Sequence, residues 1–279
     1  MIQSLTNILG DPTPFSYQIP GYKTGFPLLD DLLGGISTSD LVLLASKTGN
    51  WGSNLMLNLT IGLSRRYPVL LIHTTKNAAV VAGELRSVLL PDDSIPENDE
   101  QMLDELSHFA ANIFIEDEVN FLEEIDESVD AFRSQHPDDA IIVIDQLNSI
   151  FLSKEIRTCS RGQEEREISV KLKMLTLKYH LPIFLLTRIK TDEPSHEKDP
   201  PAFIDLEHLL GLNCPFNKII GIHRPEYYRI ETDEKGVSTE DKLFLHILRN
   251  NSRMRGIIRL NISVSNRFLF TDAVQTKIE

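Results

Sequence analysis

Apolar residues fall in short unbroken blocks along this chain, with polar residues gathered between them. DLVLLAS (Asp40–Ser46), PVLLIH (Pro68–His73), AIIVID (Ala140–Asp145) and LPIFLLT (Leu181–Thr187) are continuous and rich in Leu, Ile and Val. Runs of that length without polar alternation predict strands buried on both faces. A shorter block at Asn112–Ile115 predicts another. Between these blocks lie longer mixed segments, Asn54–Arg66, Ala78–Leu90, Phe121–Ser134 and Arg166–Tyr179, whose length favours helix over strand. Strand and helix in alternation predict a mainly parallel sheet covered by helices, an α/β fold.

The pattern changes after Thr187. Lys190–Pro201 is polar and holds prolines, and predicts a loop. Leu206–Leu212 predicts a short helix. Lys218–His223, Leu243–Leu248 and Ile257–Val264 predict strands joined by turns such as Asp233–Gly236. These extend the same sheet in antiparallel fashion rather than forming a second domain. Residues 1–20 carry Pro12, Pro14 and Pro20 and read as an arm or linker ahead of one domain over 21–279.

Composition narrows the class. With 279 residues, 41% of them hydrophobic, the chain supports a sizeable core, which excludes a disordered polypeptide. No apolar run approaches the ~18 residues a spanning helix needs. The start, MIQSLTNILGDPTPF, has no basic segment followed by a long apolar one, so neither membrane nor secretion is expected, and the cytoplasm is the expected location. Two cysteines, Cys159 and Cys214, make neither a disulfide framework nor a zinc spacing.

Charge is unevenly spread. The formal net charge is −13, yet Glu84–Asp139 holds 18 acidic and 2 basic residues, while the rest holds 23 acidic and 26 basic. The acidic segment reads either as a solvated face or as a partner-binding or DNA-repelling surface. Arginines cluster later, at Arg157, Arg161 and Arg166 and again at Arg249, Arg253, Arg255 and Arg259, where phosphate contact is one reading and ordinary surface arginine the other.

Open parallel sheets bind ligands at the carboxyl ends of their strands. One such end is followed by Lys47, Thr48, Gly49, Asn50, Trp51, Gly52, Ser53 and Asn54, then a helix, the placement of a phosphate-binding loop. The pattern G-x-x-x-x-G-K-[ST] is incomplete: with Ser53 in the hydroxyl place, Gly52 takes the lysine's, Trp51 the second glycine's and Ser46 the first's. The second end is Asp145, placed where a carboxylate holds Mg²⁺ beside such a loop.

Taken in order, these segments resemble the C-terminal motor domain of DnaB-type replicative DNA helicases, a RecA-like P-loop NTPase fold. The resemblance rests on TGFPLLDDLLGGISTSDLVLLAS (Thr24–Ser46), PVLLIHTTKN, IIVIDQLNSI, EREISVKLKMLTLKYHLPIFLLTRI, HRPEYY (His223–Tyr228) and LRNNSRMRGIIRLNI (Leu248–Ile262), and spans roughly 21–271. It implies ATP and Mg²⁺ as ligands, with Lys47, Thr48, Gly49, Gly52, Ser53 and Asn54 at the nucleotide. It also implies that Ser53 and Asp145 hold the metal, and that Arg249 is an arginine finger reaching the neighbouring subunit's nucleotide in a ring. Single-stranded DNA would meet Lys154, Arg157 and Arg161. Four positions depart from the family pattern: Gly52 at the lysine, Thr75 at the glutamate that orients water, Arg188 at the sensor glutamine, and Ile247 at a basic residue near Arg249. The expectation is therefore a DnaB-like domain with weak or absent hydrolysis, working in replication or recombination by binding and assembly, with partners on 84–139. The alternative is an active ATP-driven motor with an atypical loop.

Overall fold

A computed structural model describes residues 21–89, 110–152, 159–190, 198–211, 214–233, 235–251, 254–263 and 270–277. The predicted arm, 1–20, lies outside them, as do Lys154, Arg157 and Arg253. Nine strands form one sheet among these residues. In chain order the elements are α1 (Pro27–Leu33), β1 (Leu41–Ser46), α2 (Gly52–Ser64), β2 (Val69–His73), α3 (Ala78–Leu89), β3 (Ile113–Asp117), α4 (Leu122–Gln135), β4 (Ile141–Asp145), α5 (Arg161–Tyr179), β5 (Ile183–Arg188), α6 (Glu207–Leu210), β6 (Lys218–His223), β7 (Lys242–Asn250), β8 (Gly256–Ile262) and β9 (Phe270–Lys277).

Across the sheet the order is β3-β2-β4-β5-β1-β6-β7-β8-β9. The first six strands are mutually parallel and the last three run antiparallel, so Lys218–His223, expected in the antiparallel extension, instead pairs parallel with β1 as the sixth parallel strand, and the antiparallel extension begins at β7. Every residue of β1, β2, β4 and β6 is buried, which explains the unbroken apolar runs of the first three. In β8 full and partial burial alternate, the mark of a strand packed on one face.

Strand alternation splits the core between the two sheet faces. Val42, Leu44, Val143, Phe184 and Leu186 pack with α2 residues Leu55, Met56 and Leu59. Leu41, Leu43, Ile142, Ile144 and Leu185 pack on the other face with Ile125 and Val129 of α4 and Ile168 and Leu172 of α5. Helix α5 starts five residues earlier than the apolar pattern predicts, at Arg161, because Ser160 caps it: its Oγ accepts from Gln163 N at 3.4 Å while Gln163 Oε1 accepts from Ser160 N at 3.0 Å. Sequence reading also passes over α1 and β9.

Candidate functional site

Strand β1 ends at Ser46, and the chain turns through Lys47–Trp51 into α2. Two left-handed residues make the turn: Gly49 at φ +81° and Trp51 at φ +58°. For tryptophan that conformation costs about 1–2 kcal/mol, so neighbouring contacts must offset it. The segment after β6 provides them. The Arg224 guanidinium stacks 4.1 Å over the Trp51 ring. Arg224 N donates to Asn50 Oδ1 at 2.6 Å, and Asn50 Nδ2 donates to Tyr228 Oη at 2.9 Å. Tyr228 Oη donates in turn to the Thr48 carbonyl at 3.1 Å. Tyr227 lies so close over the loop that a Cβ on Gly49 would sit 2.2 Å from its ring. The turn expected of a glycine at position 51 is therefore present, built with a tryptophan.

The loop encloses a cavity of about 240 Å³, lined also by Gln146, Leu186 and Arg188. No side chain caps the start of α2, so its first N–H groups face that space and suit an anion. Lys47 lines the cavity too, but its side chain is buried and its Nζ lies 3.7 Å from Asp205 Oδ2. Gly52 is wedged: a Cβ there would lie 2.8 Å from Ser46 Cβ and 3.0 Å from Leu186 Cδ1. Thr48 is exposed at the loop's tip, and Ser53 and Asn54 are half-buried at the start of α2.

Asp145 closes β4, two strands away across β5, and is 3% exposed. Burial raises its pKa above the usual carboxylate value, against the opposing pull of His73 and of a hydrogen bond from the Ser53 side chain. The Ser53 hydroxyl and the Asp145 carboxylate are thus close enough to influence one another. His73 Nε2 stands 3.6 Å from Asp145 Oδ2, and burial holds the imidazole's pKa below its usual value despite that carboxylate. His73 Nδ1 accepts from the backbone N–H of Thr75 and Lys76 at 3.3 and 3.2 Å, which fixes the ring. A hydroxyl and a carboxylate are hard oxygen donors, suited to Mg²⁺ when phosphate oxygens complete its shell. Among the described residues no three His, Cys, Asp or Glu side chains form a cage that would hold a metal alone. Thr75 is exposed beyond the end of β2, and the acid nearest that end along α3, Glu84, is bound by Lys76 Nζ at 2.6 and 2.8 Å.

The family model of the DnaB-like helicase C terminal domain matches residues 21–265. The chain belongs to this family. It is 24% identical over 240 residues to the replicative DNA helicase DnaB of Helicobacter pylori, covering 82% of this chain and 48% of that protein. It is 21% identical over 238 residues to the DnaB of Geobacillus stearothermophilus, covering 79% and 51%. The chain thus spans about half the length of the curated relatives it matches. A solved ATPase domain superposes at TM-score 0.77 with 17% identity, covering 97% of both chains. A solved DnaB-like replicative helicase, described with its interactions with primase, superposes at 0.76 with 17% identity, covering 98% of this chain and 68% of that one. These likenesses give the RecA-like helicase fold.

In this DnaB-like domain Arg249 lies apart from the loop, while Arg161 lines a second cavity, of about 870 Å³, together with Lys47 and Arg188. Arg249 pairs in register with Ile219 at the amino end of β6, whereas the phosphate loop lies at the carboxyl ends of the parallel strands. At ~3.3 Å per residue, a six-residue strand separates those ends by roughly 17 Å, so Arg249 does not reach its own chain's loop. Ile247, in the place of a basic residue, is buried in the core. Arg161 spends its guanidinium internally: Nη1 on Glu164 at 2.6 Å, Nε on Glu165 at 3.1 Å, Nη2 on the Leu147 and Ile150 carbonyls at 3.2 and 2.7 Å. Burial raises the Glu165 pKa, but His208, Arg161 and Asn148 outweigh it and hold the carboxylate below its usual value. Sequence reasoning missed the role of His73 beside Asp145 and of Arg224 on Trp51. The HRPEYY segment was the available signal for the second, since aromatic and basic residues there follow a buried strand.

Proposed function

We propose that this DnaB-like domain binds the phosphates of Mg-ATP at Ser46–Asn54, hydrolyses it weakly or not at all, and acts in DNA replication or recombination by binding and assembly in the cytoplasm. What supports the reading is the end of β2: Thr75, exposed there, takes the position that the family resemblance gives to the water-orienting glutamate, and the Glu84 carboxylate is held by Lys76. A positioned general base contributes typically 10²–10⁴-fold, so its loss leaves binding with little turnover. Ser53 and Asp145 would hold Mg²⁺, whose chemistry is to neutralise charge on the phosphate oxygens. Arg249 at the opposite end of the sheet supports a finger offered to a neighbouring copy in a head-to-tail ring. Lys154 and Arg157, outside the described residues, would meet single-stranded DNA; Arg161 contributes less, its donors being engaged. The acidic segment 84–139, of which 90–109 lie outside the described residues, would take a partner.

The alternative, a working motor, is favoured by the preserved left-handed turn at Trp51. Titration calorimetry of Mg-ATP with and without single-stranded DNA, paired with a turnover assay, separates the two. The expected result is saturable binding with little or no turnover, and a gain of turnover in Thr75→Glu. Rapid DNA-stimulated hydrolysis by the unmodified chain would reject the proposal for the motor.

A further inference from the structure

The phosphate loop of this chain has no lysine at the start of α2, and the packing at Gly52 shows why none fits: a Cβ would press on Ser46 Cβ at 2.8 Å and on Leu186 Cδ1 at 3.0 Å. Any fixed cation for a bound phosphate must then come from another element. Two cationic side chains line the cavity, Lys47 and Arg188. Lys47 is buried against Asp205, so its charge is largely matched by that carboxylate. Arg188 ends β5, directly beside Ser46 in the parallel register. Strand alternation puts it on the same face as Phe184 and Leu186, which pack against α2. The same alternation in β1 puts Ser46 on that face, below Gly52. Arg188 is exposed at the cavity rim, and no carboxylate forms an ion pair with it among the described residues. Its charge is felt at Asp145, where it opposes the effect of burial. Its backbone is fixed: Arg188 N donates to Asn148 Oδ1 at 2.6 Å, and Asn148 is itself anchored on Glu165.

We infer that Arg188 is a phosphate-binding residue of this domain, its guanidinium supplying from β5 the positive charge that Gly52 cannot supply from α2. The planar fork suits two oxygens of a phosphate, which a lysine reaches only as a point charge. The ligand class is a polyphosphate, free or as the tail of a nucleoside triphosphate. The substitution of arginine at the end of β5 and of glycine at the start of α2 are then one compensated change. The inference rests on the reading that this loop binds nucleotide phosphate.

The test is calorimetric titration of the full chain with Mg-ATP, with inorganic tripolyphosphate and with adenosine, for the unmodified protein and for Arg188→Ala, Arg188→Lys and the outer-surface control Lys171→Ala. A charge-assisted pair of hydrogen bonds predicts that Arg188→Ala weakens tripolyphosphate and Mg-ATP binding about ten- to hundred-fold. Arg188→Lys recovers part of that loss, and Lys171→Ala changes nothing. Adenosine binding is unaffected by Arg188→Ala, and a matching melting curve for that variant shows the fold intact. Equal tripolyphosphate affinity in the unmodified protein and Arg188→Ala overturns the inference while leaving nucleotide binding standing. No binding of either phosphate compound by the unmodified protein overturns both.

Discussion

His223 on β6 and His246 on β7 face each other with ring centroids 6.0 Å apart, in a cavity of about 300 Å³ that Arg259 and Phe244 also line. Burial lowers both imidazoles to a pKa of about 4. At His223 the Lys198 carbonyl, hydrogen-bonded at 3.0 Å, and Asp199 oppose the shift, while Lys47 adds to it; at His246 the other ring adds to it. The folded state therefore refuses protons that the unfolded chain accepts near pH 6.5. Stability from these two groups is complete above that value and is lost as pH falls from about 6.5 towards 4, on the order of 3 kcal/mol per imidazole. Thermal unfolding from neutral pH to about 4 is expected to show this loss, and His246→Leu to flatten it. An unchanged pH slope in that variant would mean the ring is charged at no cost in the fold.

Between elements, a close contact holds α2 in place where the chain before α1 crosses it near its C-terminal end. Gly25 at φ +87° lies against Gly62, and a Cβ on Gly62 would sit 2.3 Å from the Thr24 carbonyl oxygen. Alanine would gain roughly 0.5–1 kcal/mol of helix propensity. Overpacking against backbone costs about 1–3 kcal/mol, and the obstructing atom is a carbonyl that cannot rotate aside. Overpacking wins, so Gly62→Ala is expected to lower stability by roughly 1–2 kcal/mol in urea unfolding; a stabilised variant would show that the crossing relaxes freely. The same scale explains what was legible in the sequence. Strands β1, β2, β4 and β5 announce themselves because burial on both faces demands unbroken apolar runs, whereas β6, KIIGIH, is broken by glycine and its parallel pairing was not legible. Helix α1 begins at Pro27 with Asp30 and Asp31 among its seven residues, and β9 reads FTDAVQTK, so neither carries a clear period. At the site, the loop and Asp145 are local signals at strand ends. The stack of Arg224 on Trp51 and the pairing of His73 with Asp145 join residues far apart in the chain, and no local pattern encodes them.

For the whole molecule, strand order separates an exposed acidic stripe from a set of exposed arginines. Strand β3 is one edge of the sheet and β7 lies six strands away, roughly 29 Å at ~4.8 Å per strand. Near the β3 end, Glu123, Glu127 and Asp130 are exposed on α4 at the i, i+4, i+7 spacing that forms one stripe. Towards the other end, Arg229, Arg249 and Arg255 are exposed. Patches of opposite charge on two separate edges of a molecule favour head-to-tail contact between copies, the contact that closes a ring when the rotation between copies permits. Exposed charge pairs act over about 8–10 Å at physiological salt and over ~3 Å at 1 M. If charge steers the assembly proposed for this domain, sedimentation should show oligomers at about 0.05 M salt that dissociate by about 0.5–1 M. Replacing Glu123, Glu127 and Asp130 together by lysine should dissociate them at low salt with little change in melting temperature, because all three side chains face solvent. Mixing that triple variant with one carrying Arg229→Glu and Arg255→Glu is the sharper measurement. Each chain then keeps one native end and reverses the other, and matched reversed ends should associate where neither variant does alone. Failure of the mixture, with both variants folded, would show that the two charged edges do not meet.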